Sequence, residues 1–315
     1  MAGRNRRALF HLAPLAVVAT AVGIAASETG GGDPRTRARD RLTGRVTTDG
    51  SLALRHLSRG VAGDFTRRHP NVRVTVGASG DSSAIDAFCA GELDVAAVAR
   101  DLTPAERADC ESAGVRRVHL EVAREGIAIV ISETNPSIDC LTLDQIRSIW
   151  RAESPARSWT DLGGLPSEPL QPIGLRPDRP AHTLLAQALF GPEGRTRDDY
   201  EVAGDPFELA AAVASSPGAV GYLTLGQLRP GVRVRAVPVD AGTGCATPTQ
   251  RTVLSRSYRP LSRPFNLEVN RASLRRPEVR RFLRDYSRAA PAISRAIGLV
   301  PLDSSPPLHR IFTRP

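Results

Sequence analysis

The sequence predicts an α/β protein whose parallel strands are covered by helices, and three observations carry that expectation. Short apolar or β-branched runs alternate along the chain with amphipathic stretches of helical period. Gly- and Ser-bearing turns separate strand from helix, the usual punctuation of βαβα order. Hydrophobic residues make up 41% of the 315 positions, with 27 Gly and 25 Pro, a composition that suits a globular chain with many turns and enough material for two medium lobes or one large domain. In such folds ligands bind at the carboxyl ends of the strands.

The N-terminus is unlike the rest. Arg4, Arg6 and Arg7 precede an uncharged, mostly apolar run from Ala8 to Ser27, so residues 1–27 read as an export signal. Gly23, Ala25 and Ala26 offer a cleavage site, while the length of the run also suits an N-terminal membrane anchor. Arg6-Arg7 with Leu9 and Phe10 leaves the general and twin-arginine export routes both open. Residues 28–41, with Gly30-Gly31-Gly32-Asp33-Pro34 and spaced arginines, lack apolar periodicity and predict a flexible tether.

The folded part is expected from Leu42. Arg45–Thr48 is strand-like and runs into the Asp49-Gly50-Ser51 turn, after which Leu52, Leu54, Leu57, Val61 and Phe65 trace one face of a helix ending near Pro70. The unit recurs: Val72–Val76 alternates as a strand, Gly77–Ser83 is a turn and N-cap cluster, and Ile85, Phe88 and Cys89 suit the following helix. Asp94–Ala99 is a third strand, and Thr103-Pro104-Ala105-Glu106 has the capping-box arrangement that opens a helix over 105–113. Two separate strands, Val118–Val122 and Ile127–Ser132, precede a helix opened by Thr142 and Asp144 and closed at Trp150. Further strands are expected at Leu170–Leu175, Ala219–Leu223 and Phe265–Val269, and helices at Pro180–Phe190, Phe207–Ser215 and Pro277–Ala289.

The formal charge is +9 and every one of the 42 basic residues is Arg, a bias that a GC-rich genome explains without any polyanion partner. Arg nevertheless grips oxyanions with a planar fork where Lys offers a point charge. Dispersed arginines and 4% aromatic residues argue against nucleic-acid binding. The four cysteines, Cys89, Cys110, Cys140 and Cys245, all follow the export signal, so two disulfides in an oxidising compartment are expected, with three pairings open. Close Cys-x-x-Cys spacing is absent and the six His are scattered, so neither a metal nor a cofactor is expected. No Gly-x-Ser-x-Gly elbow, His-Glu-x-x-His or P-loop occurs, which speaks against an enzyme.

Two turns, Asp49-Gly50-Ser51 and Gly77–Ser83, lie between a strand and a helix, where free N–H groups and the positive end of the helix dipole form an anion cradle. Around them, Phe65–Pro70 leading into Val72–Val76, Gly77-Ala78-Ser79-Gly80, Phe88–Val95 and Ala99-Arg100 follow in an order similar to that of the phosphate-binding receptors of ABC importers. Asp139–Thr142 before Ile149-Trp150, Trp159-Thr160-Asp161, Pro217–Tyr222, Asp240–Cys245 and Pro260–Pro264 extend the resemblance over nearly the whole chain from Arg45 to Asp303.

The resemblance implies a two-lobed, periplasmic-binding-protein-like α/β fold joined by two crossing hinge strands. It places one lobe at about 42–123 plus 262–303, the other at about 124–261, and a C-terminal tail at 304–315. It also implies the pairs Cys89–Cys110 and Cys140–Cys245, and an exported monomer that captures phosphate or another small oxyanion for an ABC permease, touching a membrane only through its N-terminus. Ligand contacts carried over are Gly50, Ser51, Ser79, Gly80, Arg100, Asp178 and Arg179. The chain departs from the family at three places. The first turn reads Gly50-Ser51-Leu52-Ala53 where two more hydroxyls are usual, and Asp81-Ser82 interrupts a Gly-rich run. The third contact region reads Asp178-Arg179-Pro180-Ala181, in which Pro180 has no N–H and neither Arg179 nor Ala181 carries a hydroxyl. These departures favour, as an alternative, a degenerate binding fold serving as an envelope sensor or interaction module. Trp150 and Trp159 are read as packing residues, Tyr222 as packing beneath the cleft, His182 as structural, and Arg263 as the partner of a carboxylate near the hinge.

Overall fold

Val46 and Thr48 alternate inward along strand β1 (Gly44–Gly50), which pairs in parallel with β2 (Val72–Val76) on one side and β3 (Val95–Val98) on the other. The computed structural model describes residues 42–135, 137–163, 168–228, 231 and 233–302, so the expected export signal, tether and C-terminal tail lie outside the described residues. Helix α1 (Arg55–Arg68) buries Leu57, Val61 and Phe65, a stripe at four-residue spacing that faces the sheet. Helix α2 (Asp81–Cys89) begins at Asp81, with Gly80 as N-cap at φ 105°, so Asp81-Ser82-Ser83 form its first turn rather than part of the preceding loop. Helix α3 (Pro104–Ser112) starts with the capping box of Thr103 and Glu106 that its sequence announces.

The chain then enters strand β4 (Arg117–Ser132), one continuous strand of 16 residues where two shorter ones were expected. Arg124 and Glu125 read as a polar interruption in the sequence. In the structure both are buried, Arg124 against Glu121 and Glu125 against Arg263, so the strand continues through them. The first part of β4 pairs antiparallel with β12 (Ser262–Asn270), and a bulge at Val122 shifts the register between Phe265 and Asn266. From Ile127 to Ile131 the same strand pairs antiparallel with β8 (Ala219–Thr224).

Around that second part stand β5 (Leu141–Thr142), α4 (Leu143–Trp150), β6 (Gln171–Leu175), α5 (Pro180–Phe190), β7 (Glu201–Ala203) and α6 (Pro206–Ser215). The short β9 (Val234–Ala236), β10 (Val239–Asp240), β11 (Cys245–Ala246) and α7 (Gln250–Leu254) follow β8. The chain closes with α8 (Pro277–Ala296) and β13 (Val300–Pro301). The main sheet runs β2-β1-β3-β12-β4-β8-β6-β7, with β9 and β13 also on β4, and β11-β10-β5 forms a separate small sheet. Helix α8 runs past Pro291 instead of stopping near Ala289. Pro291 cannot donate to the Ser287 carbonyl, yet the buried face continues through Ala290 and Ser294 and holds the helix together.

Two large apolar cores result, beside a smaller cluster of Ile85, Phe88, Val98 and Cys110 between α2, β3 and α3. Val46, Leu57, Phe65, Leu120, Phe265 and Phe282 belong to one, and Ile127–Ile131, Trp150, Trp159, Leu185 and Tyr222 to the other. Both tryptophans are packing residues, as expected, and the Trp159 indole N–H donates to the Gly218 carbonyl at 3.0 Å. Strand β4 contributes to both cores, and Leu261, just before β12, belongs to the second while Phe265 belongs to the first. The molecule therefore has two lobes joined by two crossing strands. Cys89 pairs with Cys110, fastening α2 to α3, and Cys140 pairs with Cys245 across 105 residues of the second lobe.

Replacing Cys140 and Cys245 together by Ser should cost about 2–4 kcal/mol of unfolding free energy, measured by denaturant titration, because the long loop they close regains its entropy in the unfolded chain. A second expectation concerns pH. The buried Glu268 carboxylate accepts from His119 Nδ1 at 2.7 Å and Arg117 Nη1 at 2.9 Å, and this hydrogen bond raises the His119 pKa above 6.5. A raised folded-state value means that the protonated imidazole stabilises the fold fully below pH 6.5, and that this contribution disappears as pH rises through the folded value. The melting-temperature gap between the wild type and His119→Gln should therefore be widest in acid and shrink in alkali.

Candidate functional site in the interlobe cleft

At the end of β1 the first turn is built tightly. A Cβ on Gly50 would lie 1.8 Å from the Ala97 carbonyl oxygen, so close approach of β1 to β3 requires glycine there. Ser51 N–H donates to that same carbonyl at 2.8 Å, and the Ser51 hydroxyl accepts from Ala53 N–H at 3.3 Å, capping a short 3₁₀ turn over Leu52–Leu54. The Asp49 carboxylate lies beneath the turn: its Oδ1 accepts from Gly50 N–H at 2.7 Å and from Ser79 N–H at 2.9 Å. Asp49 thus joins the two turns. Gly77 leaves room for it, since a Cβ there would meet the Asp49 carboxylate at 2.5 Å.

In the second turn, Gly80 N–H donates to the Gly50 carbonyl at 3.0 Å, so Ser79 and Gly80 both brace the first turn through their backbones. Asp81 Oδ1 accepts from Ala99 N–H at 3.0 Å and fixes the end of β3. Arg100 is engaged within its own lobe. Its Nη1 and Nη2 grip the two oxygens of Glu106 at 2.8 and 2.6 Å, and these hydrogen bonds hold the Glu106 carboxyl at a pKa of about 2. The capping glutamate of α3 is therefore also the partner of Arg100.

In the second lobe, the third turn places Asp178 and Arg179 at the start of α5. Asp178 is paired with Arg176 at 3.2 Å, Arg179 donates from Nη2 to the Gly204 carbonyl at 3.0 Å, and no side chain caps the helix. Below them, Tyr222 hydroxyl accepts from Leu175 N–H at 2.9 Å and meets His182 Nδ1 at 2.9 Å, while His182 Nε2 meets the Thr196 hydroxyl at 3.0 Å. Desolvation lowers the His182 pKa and raises that of Tyr222, so both are neutral parts of a buried network beneath the cleft floor.

Between the lobes lies a cleft of about 440 Å³. Its first wall carries Leu52, Ala53, Arg55, His56 and the Ile297–Leu299 segment. The second carries Leu175, Asp178–Ala181, Pro206, Thr224 and Gln227, and Glu125 of β4 lies between them. Asp178 and Arg179 line this cleft, whereas Gly50, Ser51, Ser79 and Gly80 shape the turn behind its first wall. Arg55, His56, Glu125 and Gln227 were not picked out from the sequence. Proximity to the first turn was an available signal for Arg55 and His56. Glu125 and Gln227 had none, since Glu125 reaches the cleft on the crossing strand β4 and Gln227 on the short turn that follows β8. The carboxylate expected for Arg263 is Glu125, whose Oε2 accepts from Arg263 Nε at 3.1 Å and Nη2 at 2.7 Å. Among the described residues, no group of three or more His, Cys, Asp or Glu could hold a metal ion, and no helix is long and apolar enough to cross a membrane.

Residues 31–269 match a family model described as a PBP superfamily domain. Among curated proteins, the chain is 29% identical over 262 residues to Protein SphX of Synechococcus elongatus, covering 82% of this chain and 77% of that protein. It is 21% identical over 239 residues to the Phosphate-binding protein PstS of Staphylococcus aureus, covering 74% and 71%. Among solved structures, a possible phosphate binding protein from Planctomyces limnophilus superposes with a TM-score of 0.77 at 29% identity, over 83% of this chain and 94% of that one.

The brace beneath the first wall can be tested directly. Asp49→Ala should lower unfolding free energy by at least about 1.5 kcal/mol in urea titration, the lower figure for one hydrogen bond to a charged group. Asp49→Asn, which keeps an acceptor oxygen, should lose less.

Proposed function

We propose, on the premise that the chain belongs to the PBP superfamily, that it is an exported substrate-binding protein capturing phosphate or a related oxyanion for an ABC importer. The observation that carries this reading is the convergence of helix starts on one interlobe cleft. The first turns of α1 and α5 line it without a side-chain cap, and Pro206 brings the start of α6, whose Phe207 and Glu208 N–H groups donate to Asp205, to the same space. Helix starts present N–H donors and the positive end of the dipole, which favour an anion. The names of the relatives, a PstS described as phosphate-binding and a possible phosphate binding protein, supply the ligand class.

In this reading Gly50 and Ser51 shape the anion-facing turn and Ser79 and Gly80 brace it. Asp178 and Arg179 approach from the second lobe, and Arg100 holds the first lobe's edge through Glu106. Closure of the lobes about β4 and β12 would bring the walls together around the solute, as in hinge motions generally. The protein works as a monomer outside the cytoplasm, in the extracellular space or the cell envelope, held to a membrane by nothing other than its N-terminal segment. It hands its ligand to a permease and has no catalytic activity of its own.

A second reading has a specific observation in its favour. Asp49 already consumes the N–H groups of Gly50 and Ser79, and Pro180 offers none, so part of the expected anion cradle is spent internally. An envelope sensor or interaction module would follow if too few donors remain. Calorimetry with inorganic phosphate separates the two. The receptor reading expects micromolar or tighter binding, and silence up to millimolar phosphate would favour the sensor.

A further inference from the structure

Arg55 is the first residue of α1 and lines the first wall of the cleft. Its Nε is shielded from water, and among the described residues that atom has no hydrogen-bond partner and the guanidinium makes no ion pair. The other charged groups on these walls are occupied. Glu125 is held by Arg263, Asp178 by Arg176, and Arg179 donates to the Gly204 carbonyl. Arg100, the arginine that sequence reasoning favoured, is held bidentate by Glu106. His56 is exposed at the rim.

Two physical costs meet at Arg55. A cation at a helix N-terminus opposes the helix dipole, and a desolvated donor on a charged group without an acceptor is unfavourable. Among the described residues no acceptor meets the Nε–H. An oxyanion in the cleft would offset both at once, by accepting from the guanidinium fork and by placing negative charge at the helix start.

We propose that Arg55 is the first-lobe cation that grips the bound oxyanion in this protein. The assignment rests on the receptor reading above and deepens it by naming a contact. It also accounts for binding by a chain whose first turn has lost two hydroxyls and whose second-lobe turn begins at Pro180. One guanidinium fork supplies two donors from a single side chain, where the usual arrangement spreads them over several hydroxyls.

The test uses the full chain and inorganic phosphate in titration calorimetry, with ligand-free melting temperatures recorded alongside. Arg55→Gln should raise the phosphate Kd about 10- to 100-fold, the loss of one or two charge-assisted hydrogen bonds. Arg55→Lys should fall between, because it keeps the charge but not the fork. Arg59→Ala, an exposed arginine on the same helix, removes the same net charge and should stay within about twofold, which separates contact from long-range attraction. The ligand-free melting temperature of Arg55→Gln should equal or exceed that of the wild type. Phosphate binding by Arg55→Gln within twofold of the wild type overturns the assignment and leaves the receptor reading in place. A fall in its ligand-free melting temperature marks a structural role and overturns the assignment too, while a wild type silent to phosphate overturns both.

Discussion

The passage of β4 through Ala123–Ile127 is the constraint on which both walls of the cleft depend. One strand supplies Leu120 and Val122 to the first core and Ile127–Ile131 to the second, so the lobes cannot be positioned independently. That passage crosses a polar stretch, and it is possible because each charge meets its opposite: Arg124 with Glu121, Glu125 with Arg263. Buried pairs of this kind add little net stability, but removing one partner leaves a desolvated charge and costs several kcal/mol. Arg263 lies on β12, the other crossing strand, so the pair ties the two connections to each other where the lobes meet.

The same economy of charge governs the first wall. Asp49 accepts from its own turn and from Ser79, 30 residues further on, Asp81 pins the end of β3, and Glu106 serves both the cap of α3 and Arg100. Backbone N–H groups at strand-to-helix turns attract anions, and here the chain's own carboxylates take several of them. Rigidity of the wall is gained, and the donors left for a solute are fewer. This is why the cleft's chemistry cannot be read from the count of Gly and Ser in its turns, and why an arginine without a partner becomes the informative residue.

The order of strands and helices was legible because it depends on local signals: apolar spacing in α1, the capping box at Thr103 and Glu106, and the turn glycines at Gly50 and Gly80. Where local signals misled, a remote partner was the reason. Two strands were expected where Arg124 and Glu125 interrupt the pattern, since only β12 and its Arg263 make those charges compatible with a continuous strand. Helix α8 was expected to end before Pro291, since only its packing across the first lobe shows that the buried face continues.

By itself, the sequence determined the α/β class, the succession of elements and, through its resemblance to a known family, the two disulfide pairs. These follow from residue spacing and from motifs in order along the chain. The tertiary structure decided which polar groups are spent and which remain. Arg100 and Arg55 are alike as letters, but Glu106 holds one while the other lines the cleft with an Nε that has no acceptor among the described residues. Hydrogen-bond partners are assigned in three dimensions by the crossing of strands and the turning of helices, and no spacing along the chain encodes that assignment.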